Sequence, residues 1–163
     1  LLEKALTDQD ASVRSSAASA LSNVGDDKVF ALLEKALTDQ DASVRSSAAY
    51  ALSNVGDDKA FALLEKALTD QDANVRSSAA YALGNVGDDK AFALLEKALT
   101  DQDASVRSSA ASALGNVGDD KMRDLLLKQL TKEKNRDVLK MIRDTLRKRF
   151  ADDPVVKKAL EDF

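Results

Sequence analysis

A 31-residue phrase returns along this chain and limits what the chain can fold into. It is clearest at residues 32–62, LLEKALTDQDASVRSSAAYALSNVGDDKAFA, and begins at Leu1, Leu32, Leu63 and Leu94, with a divergent fifth copy from Leu125. A unit this short cannot bury its own apolar face, so copies at a fixed period must stack on one another around one continuous core. The 163 residues therefore read as a single domain: four near-identical repeats over 1–124, and a fifth unit over 125–163 acting as a C-terminal cap.

Within a copy, Gly56 is the strongest breaker and follows an apolar-periodic run, where a helix C-terminus would place it. Asp57 or Asp58 then caps a helix whose Ala60, Phe61, Leu63, Leu64, Ala67 and Leu68 form a buried stripe, with Lys59, Glu65 and Lys66 left for water. After the turn residues Asp70, Gln71 and Asp72, a second helix, capped by Asp72, carries Val75, Ala79, Ala82, Leu83 and Val86 on one side. Alanine dominates it, so neighbouring backbones can approach closely. The unit is helix, turn, helix, turn, and the fold class is all-α.

The string DANVRSSAAYALGNVGD at residues 72–88 follows the pattern DxxVRxxAAxALGxxGD. It closely resembles the HEAT-like repeats of phycobilin lyases and of the artificial alphaRep scaffolds built on that consensus, over residues 1 to about 124. The tetratricopeptide, ankyrin and leucine-rich signatures are missing, and one glycine per copy interrupts any coiled coil. The resemblance implies a right-handed α-α superhelix, a solenoid of HEAT-like hairpins. It also implies a ladder between neighbouring units, with Asp10, Asp41, Asp72 and Asp103 bonding to Arg14, Arg45, Arg76 and Arg107 as stacking rather than ligand-binding residues. In two copies Ser22 and Ser53 replace the first glycine of the pattern, a change expected to loosen packing near the end of the second helix while keeping the fold.

The fifth copy keeps Leu125, Leu126 and Leu130, but its turn becomes KEKNRD and its Val-Arg pair becomes Val138-Leu139. Helices are expected at about 122–131 and 137–150, the latter burying Val138, Met141, Ile142 and Leu146, and a last one from Pro154. The N-terminal end begins directly in a first helix, leaving an apolar face that invites an upstream segment or self-association.

The net charge of −4 divides unevenly: residues 1–120 hold 11 basic and 20 acidic side chains, and residues 121–163 hold 13 and 8. Arg136, Lys140, Arg143 and Arg147 lie at helical spacing, a basic stripe that could meet nucleic acid or an acidic partner. The acidic repeats would repel a polyanion, and the stripe lacks stacking aromatics. The simpler reading is the charged outer face that a terminal repeat needs for solubility.

Cysteine, histidine and tryptophan are absent. That removes thiol nucleophiles, disulfides, Cys/His metal sites and imidazole acid-base groups, and it favours an intracellular, cytoplasmic setting. No apolar run approaches the roughly 18 residues of a membrane span. Repeated carboxylates in identical surroundings do not supply one acid and one base of different pKa, and no phosphate-binding loop is present. No catalytic residue, cofactor or metal is expected.

Second helices of such a solenoid usually line the concave face. Their outward positions are Ser43, Ser47, Tyr50 and Asn54 in the second copy and Asn74, Ser78, Tyr81 and Asn85 in the third, with Ser19 and Ser112 at the tyrosine position of the first and fourth. Hydroxyls and amides around tyrosine resemble an antibody paratope, and these are the positions diversified in alphaRep scaffolds. The chain is thus expected to be a non-catalytic protein- or peptide-binding scaffold. A consensus-like or designed repeat without a natural ligand would explain the near-identity of the copies equally well, as would recent duplication.

Overall fold

The computed structural model describes residues 1–24, 27–55, 58–86, 89–117 and 119–161, with the side chains of all but residues 27, 58 and 89. The helix-ending role expected of Gly56 and the capping role expected of Asp57 and Asp58 lie outside these. The described residues contain helices and no strands. In chain order they are α1 (Leu2–Ala5), α2 (Ala11–Ala20), α3 (Asp27–Ala36), α4 (Ala42–Ala51), α5 (Asp58–Ala67), α6 (Ala73–Val86), α7 (Asp89–Ala98), α8 (Ala104–Val117), α9 (Asp120–Leu130), α10 (Arg136–Arg149) and α11 (Pro154–Glu161). Consecutive helices pair as hairpins from α1/α2 to α9/α10, and α11 packs on α9 and α10. The array is an all-α, right-handed superhelix of these hairpins.

The turn sequence TDQD closes one helix and opens the next. Each threonine hydroxyl donates to the carbonyl three residues back, Thr7 to Lys4, Thr38 to Lys35, Thr69 to Lys66 and Thr100 to Lys97, at 2.7–2.8 Å. The second aspartate then accepts the amide two residues on, as Asp10 does from Ser12, Asp41 from Ser43, Asp72 from Asn74 and Asp103 from Ser105, each at 2.8 Å. Side chains of the turn thus bond one carbonyl of the closing helix and one free amide of the opening helix within four residues. Asp119 caps α9, Asn135 caps α10 and Asp153 caps α11 in the same way.

The core runs unbroken from Leu6 to Val156. Leu33, Leu64, Leu95 and Leu126 fill one row and Leu52, Leu83, Leu114 and Leu146 another, all fully buried. Each such leucine contributes about 2 kcal/mol by leaving water. In α10 Val138, Ile142 and Leu146 are buried, whereas Met141 is only half-buried.

Successive second helices, α2, α4, α6, α8 and α10, pack directly on one another, while successive first helices do so far less. The cause is side-chain size: α4, α6 and α8 meet through alanines such as Ala48, Ala79, Ala82, Ala110 and Ala113, all at most 2% exposed. The closer row lies inside the bend, so the second helices form the concave side. Clefts of about 270 Å³ between α3 and α5 and about 180 Å³ between α5 and α7, each floored by leucines, mark the splayed outer row. Their recurrence from unit to unit makes them a product of the curvature.

The Gly/Ser variation has a visible effect on the second helices. α6 and α8 contain Gly84 and Gly115 and run for 14 residues; α2 and α4, with Ser22 and Ser53, stop after 10 and finish as 3-10 turns at Leu21–Asn23 and Leu52–Asn54. A Cβ on Gly84 would lie 2.7 Å from Ala113 Cβ and 2.8 Å from its Cα. Serine in the equivalent position brings a real Cβ, and the local backbone tightens instead. At Ser22 the hydroxyl bonds the Ser19 carbonyl at 2.8 Å, a back-bond that favours this tighter turn.

Candidate interaction surface

Four arginines tie the units together, with partners that differ from those expected. Arg14 donates through Nε and Nη2 to both oxygens of Asp39, at 2.8 and 2.9 Å. Arg45 grips Asp70 and Arg76 grips Asp101 with the same geometry. The ladder does join adjacent units, but its carboxylates are the first aspartates of each turn. Asp10, Asp41, Asp72 and Asp103 are committed to helix amides instead, because only the residue just before the helix can reach them. Each arginine also donates Nη1 to two carbonyls of its own turn, those of Asp8 and Gln9 for Arg14. Four of the five guanidinium N–H groups are thus used, in a bidentate fork that lysine could not reproduce.

The last rung lies in KEKNRD. Arg107 donates to both oxygens of Glu133, at 2.8 and 3.0 Å, and the amides of Lys134 and Asn135 donate to the same carboxylate. The Arg107 bond is the main reason that the Glu133 carboxyl falls from 4.5 to about 2, with burial opposing and the two amides helping. Arg14 and Arg45 likewise hold Asp39 and Asp70 below the usual carboxylate range. At Asp101 burial pushes upward most strongly, but the Arg76 bond and the Asp103 amide together outweigh it. In α10, Leu139 stands at the arginine position and no rung follows.

A second ladder runs along the concave row, built from the paired serines of each VRSS. Ser15 bonds Ser47, Ser46 bonds Ser78 and Ser77 bonds Ser109, hydroxyl to hydroxyl, at 2.8 Å. Ser47 and Ser78, expected to face outward, are therefore half-buried and partnered across the unit boundary. Ser43, Asn54, Asn74, Asn85 and Ser19 are exposed, and Ser112 is half-buried. Tyr50 and Tyr81 are 47% and 42% exposed, and their rings stack at a centroid distance of 5.4 Å with 15° between planes. The paired serines were the sequence signal for the second ladder; nothing in the phrase announced that two tyrosines 31 residues apart would touch.

The basic stripe lies elsewhere. Val138 is buried as Val106 is, and Thr145 receives Gly115 as Ala113 receives Gly84, which sets α10 in register with α8 at an offset of 32 residues. By that register Arg136, Lys140, Arg143 and Arg147 correspond to Ala104, Ser108, Ala111 and Gly115. These are positions on the side of a second helix turned to the following unit, as Ser77 and Gly84 of α6 are turned to α8. The stripe belongs to the end of the stack and the concave floor does not include it. Arg136, Lys140 and Arg147 are exposed; Arg143 is half-buried and donates to the Leu139 carbonyl at 3.3 Å. At the other end Val13 is 39% exposed, where Val44, Val75 and Val106 are buried. Among the described residues no group of three or more acidic side chains is placed to hold a metal, and no helix is long and apolar enough to cross a membrane.

Comparison with known families turns this geometry into a classification. The family model for HEAT repeats matches residues 1–83 and 62–147. The chain belongs to the HEAT-repeat family. Among solved structures, this HEAT-repeat protein is similar to the complex of CpcE and CpcF of phycocyanin lyase from Nostoc sp. PCC7120. They share 24% identity over 99% of this chain and 68% of that one, with a TM-score of 0.75. It is also similar to an engineered protein, at 28% identity over 99% and 83% of the two chains and a TM-score of 0.59. A third neighbour is a designed armadillo repeat protein in complex with the peptide (KR)4, at 23% identity over 90% and 79% and a TM-score of 0.60. No curated protein sequence matches the chain.

Proposed function

We propose that this HEAT-repeat protein is a non-catalytic scaffold that binds a protein or peptide on its concave row of second helices. The observation that carries the reading is the half-exposed Tyr50–Tyr81 stack on an otherwise small, uncharged surface. Tyrosine supplies rigid contact area with little loss of side-chain freedom, and the surrounding Ser43, Asn54, Asn74 and Asn85 supply adaptable hydrogen bonds. Ser47 and Ser78 hold the floor in place, and the arginine rungs fix the spacing of the units. Residues 125–163 act as the C-terminal cap, with the basic stripe as its solvated outer face.

Catalysis has little support in this geometry. Among the described residues, the carboxylates with shifted pKa values are displaced downward, most of them by arginine or backbone amides, and none is raised to serve as an acid near neutrality.

Selection of peptides from a random display library against the intact chain tests the reading. Peptides that bind should lose at least tenfold in affinity against the Tyr50→Ser/Tyr81→Ser variant. That variant restores the residue found at this position in the first and fourth copies, so the fold is preserved. Selected peptides that bind both proteins equally would place the binding face elsewhere.

A further inference from the structure

Each second helix before the last packs against the next one, α2 on α4, α4 on α6, α6 on α8 and α8 on α10. On α8 the side turned to the following unit carries Ala104, Ser108, Ala111 and Gly115, all buried or half-buried. The register of α10 puts Arg136, Lys140, Arg143 and Arg147 in their places. The helix α11 packs on α9 and α10 yet leaves Arg136, Lys140 and Arg147 exposed. The joint that is repeated along the array therefore ends on a helix side that is open and charged.

Charge on α10 is sorted by side. Its acidic residues, Asp137 and Asp144, stand 32 residues beyond Ser105 and Ser112, which places them along the concave row. The side turned to the following unit holds cations, with Leu139 where earlier units have the rung arginine. Arg147 reaches Asp144 at 3.9 Å across an exposed edge, whereas Arg136 and Lys140 have no ion-pair partner among the described residues. A face that serves solubility alone does as well with both signs interspersed. One sign gathered along a line attracts and orients a partner of the opposite sign.

The shape of the stripe selects among such partners. Residues 136, 140, 143 and 147 follow one side of a helix for about 16 Å, and a second helix laid along them can repeat the same spacing, as paired helices do at their seam. Long cationic side chains stand where alanine, serine and glycine allow close contact between the earlier helices, so the incoming helix meets them with long side chains of its own. Nucleic acid fits less well, because residues 1–120 hold 20 acidic side chains against 11 basic and the stripe itself carries no aromatic residue.

We infer that this side of α10, solvated while the chain is alone, docks an acidic helix of a partner protein, with glutamates at i, i+4, i+7 and i+11 facing Arg136, Lys140, Arg143 and Arg147. The concave row takes no part, so the inference stands or falls separately from the binding proposed there.

Two fluorescein-labelled, hydrocarbon-stapled helices of equal length and composition test it. Both are alanine-based and carry four glutamates, in one along a single side at this spacing and in the other spread around the helix. They are titrated with the full chain at about 0.15 M salt, where exposed charges are screened beyond about 8 Å, and binding is read by fluorescence anisotropy. The one-sided helix should bind saturably and at least fivefold more tightly than the spread one. Its affinity should fall at least tenfold in Arg136→Gln/Lys140→Gln/Arg147→Gln, whose exposed positions leave the fold intact, and stay unchanged in Tyr50→Ser/Tyr81→Ser. No saturable binding, equal binding of the two helices, or indifference to the glutamine variant would overturn the inference. Loss of binding in the tyrosine variant would overturn it by moving the site to the concave row. A short DNA duplex that binds more tightly than the one-sided helix, and loses that affinity in the glutamine variant, would assign the stripe to nucleic acid instead. Self-association that the glutamine variant abolishes, read by light scattering, would assign it to a second copy of the chain.

Discussion

Two aspartates in each turn differ by two positions in the chain and by their whole role in the structure. Asp70 holds Arg45 of the preceding unit, whereas Asp72 caps α6. Asp70→Ala should cost about 3 kcal/mol, because it strands a guanidinium that is 9% exposed. Asp72→Ala should cost about 1 kcal/mol, the usual loss of a cap. Urea unfolding of the two variants measures the difference, and the opposite order would restore the pairing expected from the sequence. The same pairs make the fold sensitive to acid. Glu133 titrates near 2 when folded and near 4.5 when free, so its contribution is complete above about pH 4.5 and disappears as pH falls toward 2. The downward shifts at Asp39, Asp70 and Asp101 add in the same direction. Glu133→Gln should lower the urea midpoint at pH 7 and make it fall less steeply between pH 4.5 and 2.5 than in the unaltered chain.

Among the helices, the close approach of α6 to α8 decides the sign of a common substitution. Glycine to alanine inside a helix ordinarily stabilises by about 1 kcal/mol. At Gly84 the new Cβ would meet the backbone of Ala113, which cannot turn aside, so Gly84→Ala should destabilise by about 1–3 kcal/mol. At Gly115 the obstacle is a methyl group of Thr145, which can rotate, and the cost should be smaller. Thermal unfolding followed by circular dichroism checks both. The hairpin itself was legible in the phrase, since the turn residues and the period of the leucines and alanines place both helices. The choice between the two turn aspartates was not, because each is compatible with either partner until the helix start fixes which carboxylate faces the amide. The final rung was hidden for a related reason: Glu133 lies 26 residues beyond its arginine, where every other rung spans 25. The tyrosine contact escaped because side-chain lean between neighbouring units leaves no periodic trace.

For the molecule as a whole, contacts run almost entirely between neighbouring units, so stability should vary along the array. The second helices in the middle are covered on both sides, with Val44, Val75 and Val106 buried, whereas Val13 of α2 is 39% exposed. Hydrogen exchange should therefore be slowest in α4, α6 and α8 and fastest in α1, with α2 between them. Uniform protection from α1 to α8 would show instead that the array opens as one cooperative block. The arginine rungs carry a further consequence. The second, third and fourth units each give a guanidinium forward and accept one from behind, and the spacing between donor and acceptor is the same in three of the four rungs. Removing residues 32–62 would leave Arg14 facing Asp70 in place of Asp39, across the same kind of joint. In genetic terms the units are interchangeable cassettes, and recombination between copies can lengthen or shorten the array without leaving a scar at the junction.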